Sequence, residues 1–148
     1  MEYVAFKFLH ILIAIIAMGT SAGLGIVLEF YGNHPTHGPF VLRAIHRLLA
    51  LVVIPGYLLM LASGLWLVHL SWSLTIRWIQ TALVLWGVAG VLVLAALAVL
   101  RKQIVLLETM GPASDSYRRF SLLERLLGAG VGLVVIATLY LMVVKPGA

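Results

Sequence analysis

The chain has 148 residues, of which 63% are hydrophobic and 10% are charged, and its formal net charge is +5. Soluble domains contain about 45–50% apolar and about 25% charged residues, so this composition excludes a water-soluble fold and indicates an integral membrane protein. Cysteine is absent, which excludes disulfides, thiolate metal sites, iron–sulfur clusters and a covalently attached c-type haem.

Four apolar stretches, at about residues 3–29, 40–70, 74–100 and 120–144, each exceed the roughly 20 residues that a helix needs to cross a bilayer. We predict an all-α fold, namely a four-helix transmembrane bundle of up-and-down topology that forms one domain over residues 1–148. The lipid bilayer is the expected surrounding, and the sequence contains no motif for binding nucleic acid.

Glycines at small-xxx-small spacing occur in the first and fourth spans, at Gly19 and Gly23 and at Gly128 and Gly132. This spacing lets a neighbouring helix approach closely. Packing between helices is the simplest use of these two faces. They are also the faces through which we expect a homo-oligomer or a larger membrane complex to form.

Local signals divide the rest of the chain. Pro55 is expected to kink the second span, because proline removes a backbone donor. Trp72 and Trp78 bracket a short link and are expected to lie at headgroup level. Residues 101–120 form the longest and most polar connection, at the end of which Ser114 or Asp115 is placed to cap the fourth span.

Basic residues are distributed unequally between the two sides of the predicted bundle. The side with both termini has three, whereas the other side has seven, namely Arg43, Arg47, Arg101, Lys102, Arg118, Arg119 and Arg125. Loops rich in lysine and arginine stay in the cytoplasm. We therefore expect a bacterial inner-membrane protein with both termini on the periplasmic or exterior side.

His10 lies about two turns into the first span, and ionisable groups at membrane depth usually mark a site. Lys7 is three residues earlier and shares its helix face. A haem b in a bundle needs a neutral imidazole on iron and cations near its propionates. We predict that His10 binds haem with Lys7 as the cation. The alternative is that His10 only satisfies a neighbouring hydroxyl, such as that of Thr81.

The rise of about 1.5 Å per residue places Gly64, Thr81 and Tyr140 level with His10. Gly64 lacks a side chain and would let a flat macrocycle approach the backbone. Among these level residues, Tyr140 is the one plausible iron ligand. His69 lies about a turn and a half nearer the same surface, so a bis-histidine haem would require helix tilt or the proline kink.

A second polar cluster is expected at the cytoplasmic edge. Arg43, His46 and Arg47 occupy adjacent turns of the second span, and Glu124 and Arg125 enter the same layer from the fourth. A buried acid beside arginines would form a charge-paired lock between helices. The same basic residues could instead bind an anion or the propionates of a second haem.

Two further observations concern function classes. Met18 and Met60 fall in the middle of their spans and, with histidine, could bind Cu(I), although packed methionine is common in such helices. The sequence contains no phosphate-binding glycine loop, no Ser-His-Asp set and no paired intramembrane carboxylates. It therefore gives little support to a hydrolase or a proton pump.

Four short motifs carry a family resemblance: F-K-F-L-H-I with Lys7 and His10, G-L-W-L at Gly64–Leu67, W-I-Q-T-A-L-V-L at Trp78–Leu85, and V-V-K-P at Val143–Pro146. With them the chain resembles a family of small predicted integral membrane proteins, the domain of unknown function 2269. It is also similar to HemJ-type protoporphyrinogen oxidases and, more loosely, to CopD-type copper-resistance proteins.

The resemblance to the HemJ-type enzymes implies haem b at the histidine of L-H-I, which is His10 here. Those enzymes also have an H-x-K element in span three and N-E-V-P at the start of span four. This chain has W-I-Q-T-A and S-L-L-E-R-L there, so these two elements of the oxidases are missing, and the residues carried over from the resemblance are limited to His10.

The leading functional prediction is a small haem-binding redox or electron-transfer protein of the membrane. The alternatives are a cofactor-free scaffold or accessory subunit, a HemJ-like porphyrinogen oxidase and a copper-handling membrane protein.

Overall fold

The computed structural model describes residues 1–34 and 36–146. Within them the regular structure is helical and contains no strand: α1 (Glu2–Tyr31), α2 (Gly38–Leu48), a π-helical turn (Leu49–Val53), α3 (Ile54–Ser71), α4 (Arg77–Met110) and α5 (Asp115–Val144). Because α2, the π-helical turn and α3 run on continuously, these elements make four helices that are long and apolar enough to cross a membrane. The predicted all-α bundle of four spans is confirmed.

The spans alternate in direction around the bundle. We call the end with both termini and the α3–α4 link the termini end, and the end with the α1–α2 and α4–α5 links the far end. α1 packs mainly on α3, and α4 packs along α5. Contacts of α1 with α5 and of α2 with α4 close the ring, and the links are too short for any other order.

The helix of the third span extends past residue 100, where a polar connection was expected. α4 continues to Met110, because Gln103 and Leu106 extend its buried face by further turns, while the charged residues Arg101, Lys102 and Glu108 are exposed. The polar segment is therefore an amphipathic end of the helix, and the true connection is only residues 111–114. In this connection Ser114 Oγ accepts from Tyr117 N at 3.3 Å, so Ser114 is the N-cap.

Pro55 affects the second span in a specific way. Proline leaves the carbonyl four residues earlier without its usual donor. Here the π-helical turn Leu49–Val53 directly precedes the proline, which lies in the first turn of α3. A π-helical turn is one of the known ways in which a helix accommodates a missing backbone hydrogen bond. It rotates the residues after it relative to those before it.

The buried residues lie on narrow stripes. On α5 every seventh residue is buried, at Tyr117, Glu124, Val131 and Thr138, and the other faces are largely exposed to the surroundings. Exposed residues include many leucines, isoleucines and valines. In a membrane span this pattern means that lipid or another helix covers most of the apolar surface.

The C-terminal end of α5 is attached to the aromatic hairpin between α3 and α4. The rings of Trp72 and Trp78 meet edge to face, with centroids 5.5 Å apart. Lys145 Nζ lies 5.0 Å from the Trp72 centroid and 5.7 Å from that of Trp78. This cation–π contact was not predicted from the sequence, because only the fold brings residue 145 beside the hairpin.

Lys145→Met is expected to destabilise the bundle by about 0.5–1 kcal/mol, since it removes a cation from two indole faces. The melting temperature should fall by about 1–4 °C, as measured by tryptophan fluorescence in detergent. Lys102→Met, at an exposed position of α4, is the control and should have little effect. Equal shifts in both variants would contradict the contact.

Candidate functional site

His10 is held at the interface between α1 and α3. Its Nδ1 lies 2.8 Å from Ser63 Oγ, and the imidazole is half-buried. The first span thus supplies the ring, and the second supplies a hydroxyl at the same depth. The sequence expected a level hydroxyl at Thr81, but Thr81 Oγ1 donates to Arg77 O within its own helix at 2.9 Å.

The contacts of Ser63 favour one tautomer of His10. Ser63 Oγ lies 2.8 Å from Leu59 O and 3.2 Å from Met60 O. Carbonyl oxygens only accept, so a hydroxyl proton donated to the backbone leaves Oγ to accept from His10 Nδ1–H. In the neutral ring with this bond direction, the lone pair is on Nε2. This atom has no hydrogen bond to the described residues and is not enclosed.

The role expected of Gly64 changes. A Cβ at Gly64 would lie 3.1 Å from His10 Cε1 and 3.7 Å from Nδ1. The missing side chain therefore makes room for the imidazole itself, and this surface is not open to a macrocycle. Ser63 and Gly64 together fix the position of the ring, one by a hydrogen bond and the other by shape.

The other residues predicted around His10 lie elsewhere. Lys7 is exposed one turn nearer the termini end, and Tyr140 is 63% exposed on α5. His69 is exposed, and its ring packs on Trp66 with centroids 5.7 Å apart. It is six residues beyond Ser63, which is about 9 Å along α3 and about 120° around it. The structure therefore does not bring His69 beside His10.

Two of the basic residues predicted to cluster at the far end have partners other than those expected. Arg43 Nη1 donates to Glu108 Oε1 at 2.7 Å, and Arg101 Nε donates to His46 Nε2 at 3.0 Å. Both contacts join α2 to the last turns of α4. Sequence reasoning missed Glu108, because it placed this segment in a loop. Arg47 is exposed.

The predicted charge-paired lock at Glu124 is wrong. Arg125 pairs with Glu29 at 3.3 Å on the surface. Glu124 faces the bundle interior, where it is 4% exposed, and its Oε2 has no partner among the described residues. The two neighbours in sequence point apart, because successive residues of a helix are about 100° apart.

Two cavities lie at the far end, on either side of Tyr117. One, of about 340 Å³, is lined by Asn33, Tyr117, Ser121 and Arg125 among others. The other, of about 370 Å³, includes Asn33, Arg43 and Glu108. Tyr117 OH donates to Gly32 O or Asn33 Oδ1, at 3.3 Å in each case. The cavities at this end therefore combine hydroxyl, amide and arginine groups.

A family model described as a predicted integral membrane protein, DUF2269, matches residues 4–146. The chain belongs to this family. The match extends over all four spans, in agreement with the resemblance found in the sequence. The description names no activity, and the chain matches no curated protein and no solved structure.

The DUF2269 chain does not use the predicted glycine pairs for packing its own helices. A Cβ at Gly19, Gly23, Gly128 or Gly132 would meet nothing within 4 Å. Close approach occurs at other glycines: a Cβ at Gly56 would lie 2.7 Å from Ala17 Cβ, and one at Gly130 would lie 3.4 Å from Leu92 Cδ1. The spacing motif alone did not distinguish these two groups.

Candidate metal ligands of the DUF2269 chain are scattered. Across residues 1–34 and 36–146 no three His, Cys, Asp or Glu side chains come together as a metal-ion site. Met18 and Met60 are both packed in the core. His34 and His37 stack in the α1–α2 link with ring centroids 4.7 Å apart, and His34 Nδ1 accepts there from the backbone.

Proposed function

We propose that the DUF2269 chain binds haem b through His10 Nε2 and serves as a small redox protein of the membrane. The observation that carries the proposal is the orientation of His10. When Nδ1–H donates to Ser63 Oγ, the neutral ring has its lone pair on Nε2, which has no hydrogen-bond partner among the described residues. Histidines that bind metal typically donate their other ring nitrogen in this way.

At the termini end, the chain offers one axial ligand for a haem iron and one cation for an anionic group. His10 would supply the bond to iron, and exposed Lys7, one turn away, would supply a cation for a propionate. His69 belongs to another face of α3, so we assign no second axial residue. Bound haem would provide one-electron transfer. The likeness of F-K-F-L-H-I to the HemJ-type opening supports the same assignment.

The test is optical. The full-length protein is purified in detergent after expression with added haem precursor, and its reduced-minus-oxidised and pyridine haemochrome spectra are recorded. A stoichiometric b-type spectrum is the expected result. A protein that is fully helical by circular dichroism yet colourless, and stays colourless when hemin is added, would reject the proposal.

Lys7→Glu is expected to weaken haem retention several-fold, because it places a like charge beside a propionate. The measurement is the rate of haem loss to an apoprotein acceptor. Lys102→Glu, at the opposite end of the bundle, is the charge-matched control and should leave this rate unchanged. An unaltered rate in Lys7→Glu would remove Lys7 from the site.

A specific observation favours a second candidate, an accessory or scaffolding subunit. The glycine pairs on α1 and α5 face away from the other helices of the chain. In membranes such faces allow close contact with another helix, where backbone packing replaces side chains. A second copy of this chain is the first partner to test, since the two faces belong to the same molecule.

Paired substitution of Gly128 and Gly132 tests this candidate. Isoleucine at both positions is expected to convert an assembly into monomers, whereas alanine should have a smaller effect because it adds less volume. Light scattering of the detergent-solubilised protein, corrected for bound detergent, reports the oligomeric state. A wild-type monomer at all detergent concentrations would refute self-assembly, and it would leave the haem test unaffected.

A further inference from the structure

Two buried side chains on neighbouring helices have acceptor atoms without donors. Glu124 on α5 is 4% exposed and Gln103 on α4 is 1% exposed. Glu124 Oε2 and Gln103 Oε1 are both enclosed and have no hydrogen-bond partner within the described part of the chain. Buried polar atoms are nearly always paired, and an unpaired carboxylate in hydrocarbon is especially unfavourable. What both atoms lack is a proton donor.

The packing of α4 on α5 brings the two side chains toward each other. Leu92 on α4 lies against Gly130 on α5. Because the two helices are antiparallel, Glu124, six residues before Gly130, is level with Ala98, six residues after Leu92. Gln103 is then about 8 Å closer to the far end. Helical side chains lean toward the N-terminus of their own helix. Glu124 therefore leans toward the far end and Gln103 away from it.

The charged groups around this position are engaged elsewhere or exposed. Three pairs are formed, Arg43 with Glu108, Arg125 with Glu29, and Arg101 with His46. The remaining titratable side chains of α1, α2, α4 and α5 at this end are exposed, apart from Tyr117. The exposed ones are Tyr31, Arg47, Lys102, Asp115, Arg118 and Arg119. Tyr117 is buried and donates to Gly32 O or Asn33 Oδ1 in the α1–α2 link. Among the described residues no cation is paired with Glu124.

The geometry points to a proton-binding site formed by the Glu124 carboxyl and the Gln103 amide. A proton on Glu124 Oε2 removes the buried charge and makes this atom a donor. It then donates to Gln103 Oε1, so one proton satisfies both atoms. The proton comes from hydronium and returns to water, and no other bond forms or breaks. The site lies at the far end of the bundle and does not depend on haem at His10.

The far-end cavity of about 340 Å³ lies beside the segment of α5 that contains Glu124, although neither Glu124 nor Gln103 lines it. Its lining includes Ser121 and Arg125, which flank Glu124 along α5, and also Tyr117. Ser121 Oγ donates to Asn33 Oδ1 at 3.2 Å, and Tyr117 OH lies 3.3 Å from the same atom.

The protonation state can be measured directly in the full-length protein in detergent, with ¹³C at the side-chain carboxyl of glutamate. The chain has four glutamates, Glu2, Glu29, Glu108 and Glu124, so the signal absent from Glu124→Gln belongs to Glu124. At pH 7 we expect this signal at the position of a protonated acid and the other three at that of carboxylates. An ionised Glu124 at pH 7 would overturn the proposal.

A second variant tests the partner. Gln103→Leu is expected to shift the Glu124 signal and its titration midpoint, because the protonated acid loses its acceptor. Gln80→Leu, at an exposed position of the same helix, is the matched control and should change neither. If Gln103→Leu folds, as judged by circular dichroism, and leaves both quantities unaltered, the two residues do not form one site. If it fails to fold, Gln103→Met is measured in its place.

Discussion

His10→Ala is expected to abolish the Soret absorbance of the purified protein, the largest functional effect that we predict. The substitution removes the imidazole whose Nδ1 lies 2.8 Å from Ser63 Oγ at the interface between α1 and α3. Stability should fall less, since a hydrogen bond between membrane helices contributes about 0.6 kcal/mol on average. Spectra and circular dichroism of the same sample separate these two effects.

Ser63→Ala makes this prediction more specific. It keeps His10 but removes the acceptor of Nδ1–H, and loss of such a supporting contact typically weakens metal binding by about 10–100-fold. His69→Ala, at the exposed position against Trp66, is the control and should leave the spectrum unchanged. A Soret band that survives His10→Ala would place the haem elsewhere or show that it is adventitious.

Gly56→Val should give the largest loss of stability. A Cβ at Gly56 would lie 2.7 Å from Ala17 Cβ and 3.5 Å from Ala17 Cα, and Ala17 is fully buried. No flexible side chain can move aside, so α1 and α3 must separate. Overpacking of this kind costs about 1–3 kcal/mol, which corresponds to a fall of about 2–10 °C in melting temperature.

Gly87→Val is the matched control, because it makes the same change in the middle of α4, where a Cβ would meet nothing within 4 Å. Helix propensity changes equally in both variants, so the difference between their melting temperatures measures the contact of α1 with α3. Thermal unfolding in one detergent gives both values. Similar melting temperatures would show that the two helices are not closely packed at Gly56.

Depth in the bundle was predictable, but rotation about the helix axes was not. Counting residues placed Gly64 level with His10, and the structure has His10 in contact with both Ser63 and Gly64. Thr81 was judged equally level, yet its hydroxyl donates to its own helix. Periodicity cannot decide such cases where nearly every face is apolar. Ser63 precedes Gly64, the residue that was expected to be level with His10, and this position in the sequence was the one available signal that Ser63 would contact His10.

The end of α4 shows a different limit. Charged residues after Leu100 suggested a loop, although buried positions continue at Gln103 and Leu106. Following this spacing would have extended the helix and brought Glu108 opposite Arg43. It would also have placed Gln103 inside the bundle. Composition outweighed periodicity in that segment, and periodicity was the better guide.

The sequence by itself determined the membrane location, the four spans, their alternating direction and a helix cap at Ser114 or Asp115, because these depend on hydropathy, chain length and local hydrogen bonding. Only the tertiary structure decided which polar groups meet. His10 on Ser63, Lys145 on the aromatic hairpin and Glu124 facing inward all depend on how each helix is turned toward its neighbours. That rotation is set by close packing at a few small residues such as Gly56, and not by the hydropathy of the span.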